Sequence, residues 1–564
     1  PLLLRHCPQP LKESMAATII GRAASLEDGS PQAKEGLRRT LDWTGAFWVS
    51  AGVPPLVLFS LGGIAGVAGR TAFLVWIVSM SMGFSQSFTY AELSGMFPTK
   101  SGGASVYGAM AWLRYSKLIA PLSVWCNWFA WSPVLSLGCS IGANYILNLC
   151  CPNETSTCQD LRAWKAFSVA IPGLGDLTFN MVFLLGIVLM SVMISIQHFG
   201  VALTASAQKI LAVIVLVPLL LVALVPIFTG RIDGEHFEGL VPPSKRESAT
   251  DGSWDLGGVS LLLGSLYMAA WTTYAFETAV CYTSELKDPK KDSVKAIFFA
   301  GLLCWVFFSI IPFSFQGVFG REALLAPSIA DGTGVAEALG SMAGGNEVVT
   351  KIFQILMILG LFLAIMTAMA GSSRTLYQGS KDGWLPMFLS AVNSRGAPAG
   401  AMWTDFTFNI FLLALASDAD GYYKVMAISN VGYIIFNFLN LNAGWMHRID
   451  SGHIPRAWKA PTALIGFNTF LAFVNALILG AGAKVWGYAN ALWLGFAFAA
   501  LIIPVFAYRH YYEDGGKFPA EAMEEMGLED GSLGERKAGI LPYCVLALGV
   551  AIVISANFIF VLPS

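Results

Sequence analysis

The chain has 564 residues, of which 55% are hydrophobic and only 12% charged, with a formal net charge of −2. A soluble domain carries about 25% charged residues, so these side chains cannot cover a water-soluble globule, and lipid is the solvent that suits most of the surface. So balanced a charge points to neither nucleic acid nor an acidic surface as a partner.

Residues 1–45 form a polar tail without a long apolar run, in which Met15 is a candidate start. No cleavable signal is expected there, and the first span serves as the insertion signal. Runs near 20 apolar residues mark bilayer crossings. Thirteen follow, at about 46–67, 72–96, 118–148, 180–198, 205–228, 257–284, 295–319, 350–378, 399–417, 423–447, 463–483, 487–508 and 540–562, numbered here spans one to thirteen. Backbone groups in lipid must pair within their own segment, so these are helices and the fold class is all-α, polytopic and membrane-embedded. Spans one to five occupy 46–228, a loop 229–256, spans six to ten 257–447, spans eleven and twelve 448–508, a polar segment 509–539 and an added span 540–564.

With the N-terminus in the cytoplasm, 24 of the 34 Lys and Arg fall on the inner side, Lys290 and Lys291 among them. The positive-inside rule therefore sets the tail and the segment 509–539 inside. The loop from Cys150 to Phe179 then lies outside with the sequon Asn153-Glu154-Thr155, and the segment between Phe319 and Thr350 reads as an outer loop with short helices. Cys150, Cys151 and Cys158 share the former loop; a disulfide among them requires an oxidising compartment and leaves one thiol over. The 17 Trp suit aromatic belts at the two membrane interfaces.

Span one reads Phe47-Trp48-Val49-Ser50-Ala51-Gly52-Val53-Pro54-Pro55. Two prolines and a glycine favour a helix break, whose freed N–H groups and dipole suit a carboxylate; a plain proline kink is the alternative. Span six reads Trp271-Thr272-Thr273-Tyr274-Ala275-Phe276-Glu277-Thr278. Glu277 is an ionisable group deep in an apolar run, either a proton carrier facing a cavity or a structural carboxyl bonded to a neighbouring helix. Trp125, Trp128 and Trp131 recur every three residues in span three, for packing, for an interface belt or for lining a pocket. Glu92 and Glu285 lie near cytoplasmic ends with basic residues close in sequence, as gate or structural ion pairs. The six His fall in tails, loops or helix ends without zinc-helix spacing, and no Walker-type loop is present, so neither a membrane enzyme nor an ATP-driven pump is expected.

Four stretches together resemble the amino acid–polyamine–organocation superfamily of permeases. They are the first break followed by Gly62-Gly63-Ile64; Tyr90-Ala91-Glu92-Leu93 with Pro98-Thr99-Lys100-Ser101-Gly102-Gly103; span six with Ser284-Glu285-Leu286-Lys287-Asp288-Pro289; and Ser373-Arg374-Thr375-Leu376-Tyr377 with Asp382-Gly383-Trp384-Leu385-Pro386, Val392-Asn393 and Ala397-Pro398. The resemblance implies two inverted five-helix repeats, 46–228 and 257–447, with spans one and six broken at mid-membrane around the substrate. It implies that backbone at Ser50, Ala51, Gly52 and Val53 binds a substrate carboxylate, and that Trp271, Tyr274, Ala275 and Phe276 line the amine and side-chain end, with Trp128 as a further pocket candidate. In some proton-coupled members a lysine in span five replaces a sodium ion; Leu216-Val217-Pro218-Leu219 offers none, and Lys209 reads as a positive-inside anchor. The implied activity is secondary transport of an amino acid, by proton or sodium coupling or by exchange, across what is expected to be a plasma membrane. A polyamine, choline or another organic amine is the alternative substrate. No metal or cofactor is expected; the coupling ion and the oligomeric state stay open.

Overall fold

Among the described residues, eleven segments are long and apolar enough to cross a membrane, by length and composition. One of them, Trp43–Met96, holds spans one and two, and span nine, Ala399–Leu415, is a shorter apolar helix, so the helices follow the order read from the sequence. The structure is a computed structural model and describes residues 37–151, 156–330, 332–417, 419–486, 490–525 and 534–562. The sequon at Asn153 and most of the tail lie outside the described residues.

The helix boundaries follow local chemistry. Asp42 caps the first helix, Trp43–Val49, by accepting from the Gly45 N–H. Pro54 and Pro55 carry no N–H, and a proline ring in a helix collides with the carbonyl four residues earlier, so the helix stops. The chain crosses Ser50–Val53 irregularly, makes a 3₁₀ turn over Pro54–Leu56 and resumes as Val57–Ala68. Span six runs as Leu256–Thr273 and then tightens into 3₁₀ turns over Ala275–Val280 and Thr283–Glu285. Span three runs as Ile119–Trp131 and Pro133–Cys150 and stays helical through Ser132, whose N–H bonds the Trp128 carbonyl at 2.8 Å.

Burial sorts the spans. The most apolar windows of Trp43–Met96 and of span ten, within Gly421–Asp450, are 94% buried, against 28% for span thirteen, Leu541–Ile559. The broken and polar-bearing helices are thus interior, and the added C-terminal helix is peripheral.

Two regions differ from the sequence reading. The stretch between spans two and three contains a fully buried helix, Ala104–Leu113, too short to have stood out as a span. The presumed loop after span three is ordered as a short helix, Ser156–Ala163, and an antiparallel hairpin, Lys165–Ile171 with Gly175–Asn180, in which Phe167 stacks on Phe179 at 4.3 Å. Cys151 and Cys158 form a disulfide there, leaving Cys150 free and exposed. Short helices Pro327–Ala330 and Val335–Met342 occupy the segment after span seven, as expected.

Candidate functional site

The first break is held by span eight and span five. The Val49 carbonyl accepts from Thr367 Oγ1 at 2.7 Å and from Gln208 Nε2 at 3.0 Å. Gln208 Nε2 also reaches Thr367 Oγ1 at 2.8 Å, and Thr367 Oγ1 in turn accepts the Gly52 N–H at 3.1 Å. Gln208, not a residue of 216–219, is therefore the span-five side chain that meets the break. Its neighbour Lys209 is exposed. A neutral amide beside a lysine carries no charge signal, which is why the sequence reading passed over it.

The freed N–H groups expected at Ser50–Val53 are already paired in this conformation. Ser50 N–H bonds the Ala46 and Phe47 carbonyls, Ala51 N–H bonds Trp48, and Val53 N–H bonds Ser50, all at 3.2 Å. Tight turns take up the groups that the prolines would otherwise have orphaned. All four residues of the break are buried.

Gly52 is glycine for a packing reason. A Cβ there would stand 2.3 Å from the Leu363 carbonyl oxygen and 2.4 Å from Thr367 Oγ1. Span eight, rather than open space for a ligand, fills that direction. Gly52→Ala is expected to destabilise the protein by about 1–3 kcal/mol through overpacking, read as an earlier thermal melt of the detergent-solubilised protein. An unchanged melt would show that the backbone contact yields freely.

Around the second interruption the side chains diverge. Trp271 Nε1 donates to the Ala130 carbonyl of span three at 3.1 Å, and Tyr274 Oη meets Asn475 Oδ1 of span eleven at 3.1 Å. Phe276 lies against Phe84 of span two, 6.5 Å between centroids, and Ala275 opens the 3₁₀ turn, buried. Trp271 thus faces span three, Tyr274 span eleven and Phe276 span two.

Glu277 is buried, and its Oε1 accepts from Asn127 Nδ2 at 3.3 Å and Trp131 Nε1 at 3.0 Å. Among the described residues its Oε2 has no hydrogen-bond partner. The Trp131 ring stands edge-on to Tyr433 of span ten at 6.5 Å, and the Tyr433 hydroxyl is also buried and unpaired. Of the tryptophan stripe it is Trp131 that reaches this centre. Trp128 instead donates to Asp405 Oδ1 at 2.9 Å and packs on Phe408 and Phe498.

Glu92 and Glu285 find partners far along the chain, not the neighbours expected. Glu285 pairs with Arg374 at 2.6 Å, and Glu92 with Arg456 at 2.9 Å and also with Arg448. Lys100 pairs with Asp382 at 2.6 Å, both buried. These groups cluster at or just beyond the C-terminal ends of spans two, six, eight and ten, which all emerge on one side because each is even-numbered.

A family model described as amino acid permease matches residues 41–505. The chain belongs to the amino acid permease family. The matched segment contains both interrupted helices, the Glu277 centre and all three ion-pair clusters. The branched-chain amino acid permease BcaP of Lactococcus lactis subsp. cremoris (strain MG1363) is 23% identical over 227 residues, covering 40% of this chain and 46% of that protein. Human solute carrier family 7 member 13 is 24% identical over 228 residues, 40% of this chain and 44% of its own. The chain thus spans about half the length of these curated relatives. BcaP of Bacillus subtilis (strain 168) aligns more widely, 22% identical over 452 residues, 78% of this permease-family chain and 83% of the relative.

Proposed function

We propose that this chain is a secondary transporter, not an enzyme, that carries amino acids across the plasma membrane by alternating access, with its N-terminus in the cytoplasm. The observation that carries the reading is Glu277, a buried carboxyl at the interruption of span six with one oxygen held by span three and the other unpaired. An ionisable group at such depth belongs to a substrate or ion path. The interrupted first helix supports the same reading, since its N–H groups become carboxylate ligands once the turns over Ser50–Val53 open. Two relatives bear the name of branched-chain amino acid permeases, which makes leucine, isoleucine and valine the first substrates to try.

Proton coupling suits the first break better than sodium. The Val49 carbonyl and Thr367 Oγ1, the oxygens that would face a cation there, both accept from the Gln208 amide. The disulfide Cys151–Cys158 supports an outer, oxidising side for the hairpin and hence a cytoplasmic N-terminus. An organic amine is the second reading, favoured by the unpaired carboxylate oxygen beside the aromatic rings.

The test is competition against labelled leucine in proteoliposomes, with and without a pH gradient. Uptake should saturate, show counterflow and be blocked by α-amino acids but not by the matching amines without a carboxylate. Block by the amines would transfer the assignment to the second reading, and uptake that neither saturates nor exchanges would point to a channel.

A further inference from the structure

Span nine carries a further buried carboxyl, Asp405, fully enclosed in the protein interior. Its Oδ1 accepts from Trp128 Nε1 at 2.9 Å and Ser132 Oγ at 2.5 Å, and its Oδ2 accepts from Ser372 Oγ of span eight at 2.5 Å. Spans three, four, eight and ten, the second hairpin strand and the turn Met387–Ser390 all pack against its helix. Among the described residues only spans three and eight put polar groups on the carboxyl, and every one of them is neutral. Among the described residues no Lys, Arg, His or second carboxyl acts on Asp405. A permanently charged group sealed among neutral ones is costly in a membrane interior.

The composition of the shell allows two protonation states. A carboxylate takes all three donors as they stand. The neutral acid must itself donate, and a serine hydroxyl can rotate from donor to acceptor. Ser372 is alone on Oδ2, so the acid O–H on that oxygen finds its acceptor by one hydroxyl rotation.

The site is also joined to Glu277. Asp405 accepts from Ser132, midway along span three, and from Trp128 one turn before it. Asn127 and Trp131, each one residue before those two, grip Glu277 on the adjoining face of the same turn. The two carboxyls therefore hold alternating residues of one helical turn.

We propose that Asp405 is a second proton-binding carboxyl of the transport cycle. It takes a proton on Oδ2 from one aqueous side, gives it up to the other, and transmits its state to the Glu277 centre through the helical turn of span three that both carboxyls hold. The proposal rests on the transporter reading above. No covalent bond other than the carboxyl O–H forms or breaks.

The test compares wild type with Asp405→Asn in proteoliposomes loaded with leucine. The asparagine keeps Oδ1 for Trp128 and Ser132, and its amide can donate to Ser372, so the fold and thermal melt are retained while the proton is lost. Uptake driven by an imposed pH gradient should fall at least tenfold, and the pH profile of exchange should flatten. Gradient-driven uptake and a pH profile like those of wild type would overturn the proposal and leave the transporter reading intact. Wild-type protein with counterflow but no pH-driven uptake would overturn it as well, whereas wild type without counterflow removes the transporter reading itself and this proposal with it. Should Asp405→Asn fail to fold, Ser372→Ala decides. It removes the acceptor of the neutral acid and should displace the midpoint of the pH profile, and an unmoved midpoint overturns the proposal.

Discussion

Replacing Arg374 by alanine is expected to cost about 3–5 kcal/mol of stability, the penalty for leaving a buried charge without its partner. Arg374 Nε lies 2.6 Å from Glu285 Oε1 and Nη2 lies 3.2 Å from Oε2, a two-pronged pair with both side chains buried. The guanidinium also bonds the Ala370 carbonyl at 3.1 Å and faces the Tyr282 ring at 5.3 Å. Without it, Glu285 would stand in the interior with its two charge-assisted bonds broken. Removing both ends, Arg374→Ala with Glu285→Ala, takes away the orphan charge and should recover much of the loss. Thermal melts of the four proteins in detergent give the coupling directly. A double variant no more stable than Arg374→Ala would mean that the arginine acts through Ala370 and Tyr282 and that the ion pair contributes little.

The same cluster shows where reading the sequence succeeds and where it stops. Glu285 and Glu92 were legible as ion-pair residues, since acidic groups near helix ends demand partners. The partners were not, because Arg374 follows Glu285 by 89 residues and Arg448 follows Glu92 by 356, and only the packing of even-numbered spans brings them together. Spans were legible because about 20 apolar residues is a constraint of the bilayer itself. Span two was read as 72–96 and is Ala72–Met96. The first interruption was written in Pro54 and Pro55. The one after Thr273 was not, since no Gly or Pro lies between Trp271 and Val280, and its expectation came from family resemblance alone.

Asp405 was missed although its signal equals that of Glu277, a lone carboxyl in an apolar run. The motif around Glu277 drew the reading to one of the two. Gln208 and Thr367 give no such signal, because neutral polar residues in membrane helices are common packing groups and only geometry reveals that these two bracket the first break. Gly52 lets span eight approach, since a Cβ there would meet the Leu363 carbonyl. A glycine in sequence says that something comes close, not what.

Glu277→Gln is expected to abolish uphill uptake driven by a pH gradient while exchange of substrate continues. The substitution is unusually clean at this position. Glutamine keeps Oε1 for Asn127 and Trp131, and its amide nitrogen replaces Oε2, an atom with no hydrogen bond to lose. Packing is preserved because the two side chains have nearly the same shape. What disappears is the ability to bind and release a proton, so a carrier fixed in the equivalent of its protonated state can still alternate with substrate but cannot return a proton. A purely structural Glu277 predicts wild-type behaviour in both assays, since every bond it makes survives in glutamine. A Glu277 that pairs with a cationic substrate predicts collapse of binding itself, because the amide nitrogen repels an ammonium group where the carboxylate oxygen attracted it. Counterflow and gradient-driven uptake, measured side by side on this one variant, separate the three: loss of the second alone assigns the proton to Glu277, loss of both assigns the substrate amine, and loss of neither leaves Asp405 as the carboxyl to pursue.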